Sequence, residues 1–251
     1  MRKRDMEFSE KAKYFSKLLN DFSGEAKNAY FKNFALEFTH ESTAIEGNTI
    51  GYQEMRVLLD KGIVPGGGKT ITEVNEILGA AKAFDFMQQK AEERALLSEE
   101  LICQLHELVM YPAQNDKGYR NQKAWIAGSN TKTDEVSEIP RDMRTLIMEL
   151  SGKKFKDPLE KAAYLHAELV RILPFADGNG RTCRLAMNLS LLKDGWPPIN
   201  IKSETRKDYI SALEEFGSSK NRALSPFYVF LRLTLDKQLD EFLTDGFKLY
   251  V

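Results

Sequence analysis

Apolar side chains recur along this chain at intervals of three and four, the spacing that aligns them on one face of an α-helix. Phe8, Phe15, Leu18, Leu19 and Phe22 form one such stripe, and Tyr30, Phe31, Phe34 and Phe38 form a second. Aromatic stripes at this spacing are burial surface before they are ligand contacts. A break at Gly47-Asn48 ends the second unit. The pattern then predicts helices over 52–59, 72–87 and 98–110, the last opened by Ser98 with Glu99 and Glu100 in its first turn. Between the first two, 61–70 holds Pro65 and three glycines and reads as a loop.

The character changes between Ala113 and Pro140. Ala124-Trp125-Ile126-Ala127, then Gly128-Ser129-Asn130 and Val136, predicts a short β-hairpin, strand residues on either side of turn formers. Helices resume from Arg141, run over 159–171 and 181–193, and stop at Gly195 with Pro197-Pro198. Spans 207–216 and 226–242 finish the chain. With no internal repeat and no low-complexity stretch, the expectation is one compact all-α unit carrying a small hairpin.

The 251 residues are 42% hydrophobic, enough for a large core. Lys plus Arg number 36 against 37 for Asp plus Glu, so no overall charge points to nucleic acid as a partner. The basic start Met1-Arg2-Lys3-Arg4 is followed by no apolar run of the secretory kind, and the most apolar stretch, 223–235, is interrupted by Pro226 and Arg232. Cys103 and Cys183 have no metal-ligand spacing. The expectation is a cytoplasmic chain with reduced thiols and no membrane association.

Chemistry concentrates in Leu173-Pro174-Phe175-Ala176-Asp177-Gly178-Asn179-Gly180-Arg181-Thr182-Cys183-Arg184. Glycines flanking Asn179 allow positive φ and bare backbone amides, and the helix expected from Arg181 aims unpaired N–H groups at the same point. Such a place stabilises an anion, a diphosphate above all. Arg181 and Arg184 share a helical face, so both guanidinium groups can reach phosphate oxygens. Asp177 adds an oxygen ligand suited to Mg²⁺ bridging phosphates.

These residues resemble the motif of the Fic family, His-Pro-Phe-x-Asp/Glu-Gly-Asn-Gly-Arg-x-x-Arg, at every position but the first. Ala162-Ala163-Tyr164-Leu165-His166 before it, and Met187-Asn188-Leu189 and Gly195-Trp196-Pro197-Pro198 after it, also fit the family. Gly118-Tyr119-Arg120 and Trp125 to Ser129 look like its approach to a flap hairpin. The resemblance implies the all-α Fic fold and transfer of AMP from ATP to a hydroxyl of a target protein, possible self-modification included. It implies ATP and Mg²⁺ as ligands, with Asp177 on the metal. The Gly178–Gly180 backbone and the Asn179 side chain would cradle the α- and β-phosphates, Arg181 the β- and Arg184 the γ-phosphate. Tyr209 resembles a position lining the adenine pocket.

The first position departs. The family places there a His that deprotonates the attacking hydroxyl, and Leu173 has no lone pair. Losing a positioned base costs about 10²–10⁴ in rate. His166 stands two helical turns earlier and reads as a structural residue; His40 and His106 read as capping or packing residues.

Ser42-Thr43-Ala44-Ile45-Glu46-Gly47 resembles the family's inhibitory motif, Ser/Thr-x-x-x-Glu-Gly/Asn. Ser42 and Glu46 stand i, i+4 on one helical face, with Gly47 as the stop. The resemblance implies that Glu46 pairs with Arg184 and blocks productive ATP binding. It also divides the chain into N-terminal helices over 1–70, carrying this motif at 42–47, and a Fic core over 71–251. Gly66-Gly67-Gly68-Lys69-Thr70 imitates a P-loop, but Ile63 stands where a glycine is needed and the preceding segment reads as helix. Two readings follow: an adenylyltransferase autoinhibited by Glu46 and impaired at Leu173, or a nucleotide-binding pseudoenzyme or target-docking module. A third, transfer of a different phosphoryl group, is the weaker one.

Overall fold

A computed structural model describes residues 6–112, 118–125, 133–218 and 224–244. Among them are α1 (Phe8–Asp21), α2 (Gly24–Ala44), α3 (Tyr52–Lys61), α4 (Ile71–Glu92), α5 (Glu99–Val109), α6 (Ile139–Gly152), α7 (Pro158–Ile172), α8 (Asn179–Lys193), α9 (Arg206–Ser218) and α10 (Ser225–Thr244). The fold is all-α, and no strand occurs among the described residues. Of the expected hairpin, residues 126–132 lie outside them, while Ala124 and Trp125 are not in a strand and Val136 begins a short 3-10 turn, Val136–Glu138.

Side-chain caps fix four of the helix starts. Ser23, Thr70, Ser98 and Asp157 each accept from the backbone N–H three residues on, and Glu73 returns a bond to the Thr70 amide. α4 runs past the expected end at residue 87, because Ala91 is buried on the core face and extends the stripe by another turn.

α8 lies at the centre, against α7, α4, α5 and α2. It is buried nearly all round, including the polar Arg181, Thr182, Arg184, Asn188 and Ser190. A central helix of this kind carries no amphipathic stripe, and each buried polar group calls for a partner. Asn188 answers by bonding both the N–H and the C=O of Ile199, at 2.7 and 2.9 Å. Gly79 lets α4 approach the end of α5: a Cβ there would lie 2.9 Å from the Leu108 carbonyl. The N-terminal helices close the other side, with Lys11 on α1 buried between Asp236 and Asp240 of α10 at 2.8 Å each. In the glycine loop before α4, Lys69 donates to the carbonyl and hydroxyl of Thr49.

Candidate functional site

The twelve-residue segment forms the end of α7, a tight loop and the start of α8. Leu173 stops α7 in the left-handed region, φ 48° and ψ 62°. Arg120 caps this end: its Nε donates to the Leu173 carbonyl at 2.6 Å and its backbone N–H to the Pro174 carbonyl at 2.8 Å. The same guanidinium donates to the carbonyls of Gln122 and Asp134 at 2.9 and 2.6 Å, tying the segments on either side of 126–132 to the loop. A cation on a helix C-terminus is favourable in itself.

Phe175 is buried and stacks on His106, ring centroids 3.8 Å apart and nearly parallel. His106 Nε2 donates to the Asp177 carbonyl at 2.9 Å. A carbonyl can only accept, so this ring carries its proton on Nε2. The Asn179 amide closes a ring with the Phe175 backbone, accepting from its N–H at 3.0 Å and donating to its C=O at 2.8 Å. Both ends of the Asn179 amide thus brace the loop.

α8 begins at Asn179, two residues before the expected start, because Gly178 at φ 72° caps it and the Thr182 N–H bonds back to the Gly178 carbonyl. The N–H groups of Asn179, Gly180 and Arg181 then have no intrahelical acceptor and open into the cleft. Only Gly178 of the two glycines has positive φ. Gly180 is crowded in a different way: a Cβ there would overlap a carboxylate oxygen of Glu46, which would have to move aside. Glu46 thus sits where an anion would be held at the start of α8.

α2 ends at Ala44, so Glu46 lies in the turn beyond the helix rather than on its face. It still reaches Arg184, with Nη2 2.8 Å from Glu46 Oε1. Arg184 is 1% exposed, and its other donors go to the Ser42 hydroxyl at 2.9 Å, the Ser42 carbonyl at 2.8 Å and the Tyr209 hydroxyl at 3.4 Å. Burial works against its charge, and the nearby Glu46 carboxylate and Tyr209 hydroxyl outweigh burial and hold it protonated. Arg184 therefore faces α2 and does not share an open face with Arg181.

Arg181 is also buried, yet its contacts are long: 3.7 Å to Asp177 and 3.9 Å to Glu76. Its Nε has no hydrogen-bond partner among the described residues. A buried, under-satisfied guanidinium beside free helix N–H groups is a ready phosphate contact.

Tyr209 lines the cleft, but its hydroxyl is held between Arg184 and His166, 2.9 Å from His166 Nε2. Its ring packs on Phe227 and Phe230. His166 is fully buried; burial first, and then Arg184, pull its pKa down to about 3. It is neutral, accepts the Tyr209 proton through Nε2, and does not line the cleft. No imidazole lines the cleft among the described residues, and Leu173 presents only carbon to it.

The Asp177 side chain is 70% exposed at the cleft mouth. No group of three or more His, Cys, Asp or Glu among the described residues could hold a metal alone. A single accessible carboxylate next to a phosphate cradle fits Mg²⁺ bound mainly through nucleotide oxygens, as this ion prefers. Among the described residues no helix is long and apolar enough to cross a membrane.

Reasoning from the residues alone missed Arg120 and His106 as parts of this site. Arg120 follows a glycine and an aromatic in a loop, a position where a cap donor is common, but nothing local points it at residue 173. His106 carries no local signal at all.

Residues 96–191 match the family described as Fic/DOC. A "Protein adenylyltransferase Fic" of Nematostella vectensis is 31% identical over 86% of this chain and 49% of its own length. A "Protein adenylyltransferase fic-1" of Caenorhabditis elegans is 31% identical over 70% of this chain and 35% of its own length. The chain thus spans a third to a half of these curated relatives. A crystal structure of a Fic domain containing signalling protein from Bacteroides thetaiotaomicron superposes with a TM-score of 0.80 at 26% identity, covering 93% of this chain and 92% of the other.

Proposed function

This chain carries a Fic/DOC family domain, and on that premise we propose that it is an adenylyl-transfer domain that binds Mg-ATP at the start of α8, held closed by Glu46. The observation that carries the reading is the carboxylate of Glu46 lying over Gly180 and on Arg184, an internal anion in a cradle built for an external one. In this reading the free N–H groups of Asn179, Gly180 and Arg181, with the Arg181 guanidinium, hold the α- and β-phosphates. Arg184 becomes available to the γ-phosphate only when Glu46 leaves it. Asp177 would hold Mg²⁺, and the ion would supply positive charge to offset that of the phosphates. Arg120, His106 and Asn179 keep the loop rigid, so the cradle needs no rearrangement when ligand arrives.

The activity carried by such a site is transfer of AMP from ATP to a side-chain oxygen of a protein. A Ser, Thr or Tyr hydroxyl must shed its proton as it attacks Pα, and Leu173 cannot take it. Hydroxyl labelling by the chain as it stands is expected to be about 10²–10⁴ below that of a variant with a base in place.

Two measurements test this. Glu46→Gly should tighten Mg-ATP binding about tenfold by calorimetry, the scale of one released charge pair; unchanged affinity and heat would remove Glu46 as a lock. Leu173→His in the same background should label itself or a co-purified protein from α-phosphate-labelled ATP. Absence of label with Mg-ATP binding intact favours the alternative, a nucleotide-binding pseudoenzyme or target-docking module, to which the buried apolar side chain of Leu173 points.

A further inference from the structure

Leu173 does not merely delete a base; it leaves a cleft whose remaining chemistry selects a different acceptor. Apolar Leu173, Val170 and Ile45 line that cleft together with the guanidinium of Arg206. Arg206 is held by one bond, Nε to the Ile45 carbonyl at 2.7 Å. Its terminal nitrogens have no acceptor among the described residues. Of the carboxylates that line the cleft, Glu46 is engaged on Arg184, and Asp177, which accepts from the Gly178 N–H, is the one assigned to Mg²⁺ in the reading above. The imidazole of His166 is buried behind Tyr209. Among the described residues no imidazole lines the cleft, and Arg206, besides the under-satisfied Arg181, has donors to spare there.

We infer that the acceptor at this site is an oxyanion already ionised at neutral pH, a phosphate group or a carboxylate bound by Arg206, and not a neutral hydroxyl. The inference rests on the adenylyl-transfer reading above. In the step, a lone pair of the acceptor oxygen forms a bond to Pα of ATP, and the bond from Pα to the bridging oxygen of the β-phosphate breaks. The electron pair departs with pyrophosphate. No proton moves, so no base is needed, and the product is a phosphoanhydride or an acyl adenylate. What the step does need is a cation to offset repulsion between two anions, and a low-dielectric wall strengthens that attraction. Arg206 and Leu173 supply these two properties.

The test uses the full chain carrying Glu46→Gly with Leu173 retained, given Mg-ATP and one of three acceptors. Phosphate labelled with ³²P should place its label in the β-position of ADP, a product that ordinary ATP hydrolysis does not give. Acetate should give acetyl adenylate, trapped by hydroxylamine as the hydroxamate. Glycerol should give at least about tenfold less product than the better anion, since its proton has no acceptor. Whichever anion reacts identifies the source of the acceptor oxyanion. With acetate the rate should stay flat from about pH 6 to 9, because its carboxylate is ionised throughout. Arg206→Gln should lower the anion-dependent rate about tenfold while Mg-ATP affinity holds, and Arg206→Lys should restore most of it.

Glycerol reacting as fast as either anion overturns the inference, as does silence with both anions while calorimetry shows Mg-ATP bound. If Leu173→His then labels hydroxyls, the adenylyl-transfer reading stands and the acceptor inference alone fails. If Mg-ATP does not bind, both fall together.

Discussion

Arg181 and Arg184 stand one turn apart on the same helix, and the structure treats them oppositely. Arg184 is met by Ser42, Glu46 and Tyr209 at 2.8–3.4 Å, and Tyr209 passes the contact on to His166. Arg181 has only long contacts, at 3.7 and 3.9 Å, and an Nε without a partner among the described residues. One guanidinium completes the fold and the other is left under-satisfied beside the helix start. On the proposed reading, the difference separates a side chain that secures the closed arrangement from one kept ready for a ligand, and it ties stability to inhibition, because the group to be released for the γ-phosphate is the better-partnered of the two.

The sharpest way to break this comparison is to truncate each arginine. Arg184→Ala should cost about 3–5 kcal/mol in denaturant unfolding, the scale of a buried charge pair losing one member. Arg181→Ala should cost about 1 kcal/mol or less, since it strands no close partner. Equal costs would mean that Arg181 is as structural as Arg184.

A smaller effect should come from the far end of the Arg184 chain. His166 is held at a pKa of about 3, below its ordinary value near 6.5. A group depressed on folding adds stability above its unfolded pKa, and that stability is lost as pH falls through the window down to the folded value. Unfolding free energy should therefore drop below pH 6.5, by at most about 1.4 kcal/mol per pH unit from this one group. His166→Gln should flatten the profile between about pH 6 and 4 while keeping a partner for Tyr209. A wild-type slope that survives the substitution assigns the acid sensitivity elsewhere.

The smallest effect is expected at Leu173, which holds φ 48° with a branched side chain. Left-handed backbone costs such a residue about 1–2 kcal/mol, and Asn or His tolerates it better. Leu173→Asn should change stability by only about 1 kcal/mol, as relieved strain offsets lost burial, far less than Leu→Asn at an ordinary buried site. A loss of about 3 kcal/mol or more would mean that packing, not backbone geometry, governs this position.

Much of this was legible beforehand. The stripes beginning at Phe8 and Tyr30 lie on α1 and α2, and the expected spans 207–216 and 226–242 fall within α9 and α10, because α-helical order is local and each turn is decided by residues three and four apart. The loop around Asp177 and the pairing of Glu46 with Arg184 were readable from motifs and their known family context. The crowding at Gly180 was not, since helical φ gives no clue that a carboxylate from another element will occupy the space of its Cβ.

By itself, then, the sequence determined the helical segments, the glycine-flanked turn at the start of α8 and a leucine at residue 173. Tertiary structure alone decided which polar groups those features meet. His106 reaches the Asp177 carbonyl across 71 residues, and Arg120 reaches the Leu173 carbonyl across 53. No periodicity encodes such distances. They arise because packing brings distant side chains onto backbone carbonyls that the end of α7 and the loop before α8 leave without helical partners.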